Sequence, residues 1–256
     1  MSTSAELATA LAQGGAPPEH IERLAAYGAL VLDVNRTTNL TAARDPLALA
    51  AHILDALTLT ADVTGESLID IGSGAGFPGI PLAIVTGVRV VLVDSVKKKA
   101  TFLDRALREL GLDGEALDAR AEAVGRDPRY REAFAHATAR AVSTAPTVAE
   151  LTVTLLRIGG TALLQRGAMD VGEREALTDA ARMLGAELAD ERLLSGDRRL
   201  LRLYKASPTQ GRFPRRDGIP EKRPLCFSGA SGTAGIVVEA VLRTEALGAQ
   251  TGGACA

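Results

Sequence analysis

Cysteine, histidine and tryptophan are almost absent from this 256-residue chain, and each scarcity closes off a class of chemistry. The two cysteines, Cys226 and Cys255, fall in the last stretch, outside the predicted core, so neither a disulfide framework nor a thiolate metal site is expected. The three histidines, His20, His52 and His136, are scattered without ligand spacing, and no metal is expected. Tryptophan is missing and aromatic residues make up only 3% of the chain, which favours charge-led binding of a polymer over stacking on exposed rings. No apolar run approaches the ~18 residues of a membrane helix, and Met1 to Gln13 holds no basic leader. The chain reads as cytoplasmic, without a membrane partner and, lacking a coiled-coil pattern or exposed apolar stripe, as a monomer.

What is present begins with a glycine loop, Asp70-Ile71-Gly72-Ser73-Gly74-Ala75-Gly76-Phe77-Pro78-Gly79-Ile80-Pro81, between a short apolar run and an apolar helix candidate. Glycines there let the backbone turn tightly and approach a nucleotide-like ligand beside a helix N-terminus. Two readings overlap. Gly74-x-Gly76-x-x-Gly79, with Asp94 about 20 residues on, matches the dinucleotide pattern of an NAD-dependent oxidoreductase. Asp70-x-Gly72-x-Gly74-x-Gly76 is the form that accompanies S-adenosylmethionine. Asp70 separates them, because a carboxylate repels a pyrophosphate but attracts the ammonium and sulfonium of the methyl donor. Asp94, ending the next strand, is expected to accept hydrogen bonds from two ribose hydroxyls, which both cofactors carry.

The 46% hydrophobic content fits one large α/β core. Helical periodicity at 18–34 and at 46–61, the second opened by Asp45 and Pro46, predicts a helical cap over residues 1–66. From residue 67, strands (67–72, 88–94, 115–121, 135–142, 160–166) alternate with helices (79–86, 96–110, 145–157, 171–184), which predicts a parallel sheet with helices on both faces. Residues 186–194 and 198–205, split by Ser195-Gly196-Asp197, read as a closing antiparallel hairpin. The expected fold is therefore a Rossmann-like, mostly parallel seven-stranded sheet of the class I S-adenosylmethionine-dependent methyltransferase type, over 67–206. Residues 207–225 should form an extended basic arm, and 226–256 a disordered tail.

The net charge of −2 hides a segregation. Residues 1–66 carry three arginines against eight acids, including Asp55 and Asp62, whereas Gly196 to Leu225 carries nine cations against three acids. Such a split is the footprint of a polyanion-binding face on an acidic protein.

The spaced motifs then become specific. Asn39-Leu40-Thr41, Arg44-Asp45-Pro46, His52-Ile53-Leu54-Asp55, the 70–81 loop, Lys97-Lys98-Lys99 with Phe102-Leu103, Arg120-Ala121-Glu122, Arg140-Ala141-Val142 and the closing Pro214-Arg215-Arg216-x-Gly218-x-Pro220-x-Lys222-x-Pro224-Leu225 closely resemble the RsmG (GidB) family over roughly residues 20–225. That resemblance implies methyl transfer from S-adenosylmethionine to guanine N7 in 16S ribosomal RNA, with the small ribosomal subunit as partner. It also implies cofactor contacts at Gly72, Phe77, Ala121, Glu122 and Arg140, beside Asp70, Gly74, Gly76 and Asp94 from the loop itself. Ala121-Glu122 is where a contact to the adenine edge is expected.

The chemistry asks for little. Guanine N7 presents an in-plane lone pair as an acceptor, so no general base is required and the work is positioning. No catalytic residue is expected beyond Arg140 as an orienting group. A cytosine C5 enzyme would need a nucleophilic cysteine near the sheet, and none is there. RNA contacts are expected at Lys97, Lys98, Arg166, Arg215, Arg216, Lys222 and Arg223, with Phe213 the one aromatic inside the basic arm. Two other readings stand beside the methyltransferase: the NAD-dependent oxidoreductase, and a non-catalytic ribosome-binding protein that keeps a cofactor fold.

Overall fold

Strands that are apolar on both faces must be covered on both faces, and the computed structural model shows how this is done. It describes residues 2–225, apart from Ala141 and Ser195; the expectation for the 226–256 tail, with Cys226 and Cys255, lies outside the described residues. Seven strands form one sheet: β1 (Ser67–Ile71), β2 (Arg89–Asp94), β3 (Gly114–Asp118), β4 (Phe134–Arg140), β5 (Leu156–Arg166), β6 (Ala186–Leu193) and β7 (Arg199–Lys205). Their order is β3-β2-β1-β4-β5-β7-β6, parallel except that β7 runs antiparallel to both β5 and β6. The closing hairpin thus slots its second strand inside the edge, as the expected class I architecture requires.

Alternation along the strands sorts side chains into two apolar clusters. Leu68, Val90 and Leu92 pack on one face with α4 (Gly79–Thr86) and α5 (Lys97–Glu109). Ile69, Ile71, Val91 and Val93 pack on the other, with α7 (Ala145–Val153) and α8 (Val171–Met183). The first cluster also takes in Leu7 and Leu11 of α1 (Thr3–Gln13), Leu24 and Tyr27 of α2 (Ile21–Asn35), and Leu49 and Ile53 of α3 (Pro46–Leu57). Helix α1 was not expected; its apolar signal is thin, but Ser2 caps it through the Ala5 amide and the fully buried Leu7 and Leu11 contribute about 1.5–3 kcal/mol each. Asp45 caps α3 and Pro46 occupies its first turn, as their order in the sequence predicts. A second unexpected helix, α6 (Ala121–Arg126), starts just beyond β3, so the expected strand 115–121 stops short of the motif Arg120-Ala121-Glu122.

The basic arm is corrected. Residues 207–225 are not an extended strap but lie docked on α6 and α7, ending in the short helix α9 (Ile219–Lys222). Arg131 donates to the carbonyls of Thr209 and Phe213, Thr147 to that of Pro220, and the Gly218 amide donates to Glu122. Phe213 is buried, which removes it as a stacking surface for a base. Arg215 is corrected with it. Its guanidinium meets both carboxylate oxygens of Glu150, at 2.6 and 3.0 Å, and its amide donates to the same side chain at 2.7 Å. Glu150 is fully buried, so its charge depends on this partner.

Much of the charge segregation is likewise spent inside the molecule. The N-terminal acids face hairpin arginines: Asp62 pairs with Arg192 and Arg202, and Asp55 with Arg198. Lys205 is fully buried on Val153, Thr209 and Glu132, and Arg199 pairs with Glu191. Of the basic stretch, Arg198 is exposed although paired with Asp55, and Arg212, Arg216, Lys222 and Arg223 are exposed as well.

Replacing Arg215 by alanine strands a buried carboxylate and is expected to cost about 3–5 kcal/mol in a denaturant titration while leaving the salt dependence of RNA binding unchanged. A loss below about 1 kcal/mol together with a shallower salt slope would return Arg215 to the RNA-contacting set.

Candidate functional site

Three glycines of the 70–81 loop adopt left-handed backbone angles, Gly72 at φ 68°, Gly74 at 59° and Gly76 at 103°, a region that other residues enter only with strain. The loop leaves β1 and turns over the end of β2, where the Gly72 and Ser73 amides donate to the Val93 carbonyl and the Gly74 amide donates to Asp94 Oδ2 at 2.9 Å. Beneath it lies Asp70, fully buried. Its Oδ1 accepts from Thr138 Oγ1 at 2.8 Å, the residue directly across the register on β4, and its Oδ2 accepts from the Gly79 amide at 3.2 Å at the start of α4. Burial pushes its pKa up to about 6, against the pull of the Thr138 and Gly79 hydrogen bonds and of the Arg140 charge.

The N-terminal helices hold the loop from outside. The buried Tyr27 hydroxyl donates to the Ala75 carbonyl at 2.8 Å, and its ring meets Phe77 edge-on at 5.5 Å. Desolvation raises the Tyr27 pKa well above the usual phenol value, so the hydroxyl keeps the proton it donates. Asn35, at the end of α2, accepts from the Leu40 and Thr41 amides and donates to the Thr41 and Ala43 carbonyls, which shapes the segment that faces the loop. This accounts for the Asn39-Leu40-Thr41 motif as a wall.

Two cavities share Gly72 and Val142 in their walls. The smaller, about 280 Å³, is bounded by Val93, Asp94, Lys99, Arg120, Ala121 and Glu122 among others. The larger, about 920 Å³, is bounded by Thr41, His52, Asp55, Gly74, Phe77, Arg140, Gln165, Arg166 and Arg198 among others. Arg140, ending β4, lies 4.7 Å from the Phe77 ring centroid and 3.3 Å from Asp55 Oδ2. Burial lowers the His52 pKa, and the Arg140 charge lowers it further, so the imidazole facing this cleft stays neutral near neutral pH.

The cavities gather most of the expected cofactor residues: Gly72, Gly74, Phe77 and Arg140 in the larger, Gly72, Asp94, Ala121 and Glu122 in the smaller. Two roles change and a third is extended. Asp70 lines neither cavity, so its carboxylate organises the loop instead of touching a cationic ligand. Gly76 lines neither as well; a Cβ there would fall 3.1 Å from the Tyr27 hydroxyl and 2.5 Å from Ile80, which makes it a packing glycine. Glu122 lines the smaller cavity but is buried with its oxygens on Arg120 and the Gly218 amide, so its carboxylate also anchors the arm.

The RNA set divides the same way. Lys97 and Lys98 are exposed in the first turn of α5, and Arg216, Lys222 and Arg223 are exposed on the arm. Arg166 lines the larger cleft but is committed to the Ser143 carbonyl and Glu173, both at 2.6 Å. Beyond those residues the larger cleft is walled by Thr41, His52 and Asp55, which the spaced motifs contain without an assigned role, and by Ser143, Gln165 and Arg198, which no motif singles out. Spacing assigns none of them a role, because they come from the segment before α3, from α3, from around the ends of β4 and β5 and from the hairpin, which only the fold brings together.

A family model described as rRNA small subunit methyltransferase G matches residues 20–201. Two curated relatives carry the name ribosomal RNA small subunit methyltransferase G. The one from Pelotomaculum thermopropionicum is 40% identical over 218 residues, which is 81% of this chain and 91% of that protein. The one from Rubrobacter xylanophilus is 41% identical over 221 residues, 81% of this chain and 84% of that protein. Among solved structures, the mitomycin 7-O-methyltransferase MmcR superposes with a TM-score of 0.51 at 12% identity, over 63% of this chain and 56% of that one. A geranyl diphosphate methyltransferase in complex with GPP and sinefungin gives 0.50 at 16% identity, over 64% and 81%. These likenesses show the fold.

Asp70 makes a signed prediction. Its pKa is raised from 3.8 to about 6 on folding, so the folded state holds the proton more tightly, and the group's stabilising contribution is complete below pH 3.8 and lost as pH rises through about 6. The difference corresponds to on the order of 3 kcal/mol. Denaturant titrations from pH 4 to pH 7 should show this downward slope in the wild type and a flatter one in Asp70→Asn; equal slopes would refute the assignment.

Proposed function

The chain belongs to the rRNA small subunit methyltransferase G family, and from that premise we infer that it moves the methyl group of S-adenosylmethionine to N7 of one guanine in 16S ribosomal RNA. Family membership removes the nicotinamide reading of the glycine loop and the reading as a non-catalytic binding protein. The single observation that carries the site assignment is that two unequal cavities share Gly72 and Val142 in their walls, which suits a donor with a nucleoside part and an amino-acid part beside a flipped-out base. The residues fit such a donor. A Cβ at Gly72 would come within 2.8 Å of the Val142 side chain and intrude where both cavities are lined, whereas Gly74 has nothing nearer than 3.9 Å.

When bound, the donor supplies an already activated methyl on its sulfonium. The chain's own groups then have positioning tasks. Asp94 faces the smaller cavity with Oδ1 on the Val96 amide and Oδ2 on the Gly74 amide, and a carboxylate so held keeps lone pairs for ribose hydroxyls. The Ala121 backbone lies where the adenine edge is read. Phe77, Arg140 and the 40–44 segment shape the acceptor side and exclude water, which holds the base in line with the methyl. N7 carries no proton to remove, so the neutral His52 needs no role as a base.

We read residues 67–206 as the transferase unit, 1–66 as the part that completes its acceptor wall, and 207–225 as a docked arm that closes the adenosine side and presents Arg216, Lys222 and Arg223 to RNA phosphates. Lys97 and Lys98 extend that surface at the end of β2. Among the described residues no helix is long and apolar enough to cross a membrane.

Small ribosomal subunits lacking the modification, incubated with labelled donor, should acquire one methyl that maps to a guanine N7; transfer to another atom or base, or none, would overturn the reading. Reversing Arg216, Lys222 and Arg223 to glutamate should flatten the salt dependence of RNA binding by roughly 2 in log–log slope while donor binding is retained. An unchanged slope would take the arm out of the RNA surface.

A further inference from the structure

One buried acceptor in the larger cleft has no partner, and a second beside it has an ion pair but no hydrogen bond. Gln165 Oε1 and Asp55 Oδ1 are shielded from solvent and make no hydrogen bond, although both residues line the cleft. Leaving such atoms unmatched is costly, and it is uncommon in a well-packed interior. Neither side chain is free to turn away. Gln165 Nε2 donates to the Asp55 carbonyl at 2.9 Å and to Thr58 Oγ1, which fixes the amide so that its oxygen is the end left over. Asp55 is clamped between Arg140 at Oδ2, 3.3 Å, and Arg198, whose guanidinium lies 2.7 Å from Oδ1 as an ion pair outside hydrogen-bond geometry. A carboxylate offers about four lone-pair directions, so both ion pairs together leave it able to accept more.

We propose that Asp55 and Gln165 read the Watson–Crick edge of the target base, the carboxylate and the amide oxygen accepting from N1–H and from the exocyclic amine at C2. The inference rests on the guanine reading above and deepens it. Among the four RNA bases only guanine sets two neighbouring N–H donor groups on that edge; adenine, cytosine and uracil each interrupt it with acceptors. A pair of fixed acceptors therefore selects guanine and leaves every other base with unmatched polar atoms. The sheet supplies the distance. Gln165 is the last but one residue of β5 and Gly72 follows β1, and β4 lies between them, so the two are separated by two strand spacings, about 10 Å. That span accommodates a purine with its N1 and C2 side on Asp55 and Gln165 and its N7 side toward Gly72. Arg140 then has a positioning task, since it holds the reading carboxylate on one side and lies over Phe77 on the other.

The test is the ratio of kcat/KM for small subunits reconstituted with 16S rRNA carrying either guanosine or inosine at the methylated position. Inosine keeps N7 and N1–H but lacks the amine at C2. The wild type should prefer guanosine by about tenfold or more, and Asp55→Asn and Gln165→Met should each bring the ratio toward one. Thermal midpoints show whether each variant is folded, and Gln165→Met carries the test should Asp55→Asn not fold. A wild-type ratio near one, or variants that lose activity with the wild-type ratio intact, would overturn the proposal and leave Asp55 as a structural clamp. Mapping the wild-type product on the guanosine subunit separates this from failure of the functional reading, which would show as no methyl at guanine N7.

Discussion

A carboxylate with no access to water, Asp70, is the constraint on which the ligand loop depends. It accepts hydrogen bonds from Thr138 on the adjacent strand and from the first amide of α4, so β1, β4 and the helix are tied at the point where the chain must leave the sheet. A buried charge is tolerated only when its oxygens are matched, and this pair of donors fixes where the loop begins and where it ends. Between those points the left-handed glycines carry the chain over the end of β2, and Asp94 catches it from outside through the Gly74 amide. Two aspartates at neighbouring strand ends thus frame the loop from below and from the side, and only the second faces a cavity.

The rest of the molecule completes walls that the sheet alone does not provide. Tyr27 and Asn35, on α2, place the 40–44 segment and the loop against each other, and α3 brings His52 and Asp55 to the acceptor side. On the opposite face of the sheet, the arm after β7 closes over α6 through Glu122 and over α7 through Glu150. Both additions are held by buried polar groups with specific partners, so each has a defined register on the sheet and is not a loosely attached lobe. The charge asymmetry of the chain has the same origin in large part. Acids from residues 1–66 and arginines from the hairpin meet across the N-terminal cap, which leaves a smaller set of cations for a polyanion than their number suggests.

How far the fold and the site could be read in advance follows from this division. Strand and helix alternation from residue 67, the antiparallel pair β6 and β7, the Asp45-Pro46 helix start and the glycine loop are local signals, set by periodicity and backbone preference, and the structure reproduces them. Helix α1 was missed because two leucines among alanines give little pattern until they find the core. The exchange of roles at Asp70, Gly76 and Arg215 and the second task of Glu122 were also hidden. For each, the residue type allowed either a ligand or a packing partner, and the choice depends on groups far away in the chain: Thr138, Tyr27, Gly218 and Glu150.

By itself, then, the sequence determined the order of the elements apart from α1 and α6, the class of the fold, the identity of the donor and the family, because these rest on short-range patterns and on motifs that keep their spacing. Tertiary structure alone decided which acids and arginines face a ligand and which neutralise one another, since charge pairing across elements is a matter of distance that no spacing encodes. It also decided that Asp55 and Gln165, separated by 110 residues, stand side by side at one cleft with acceptors to spare.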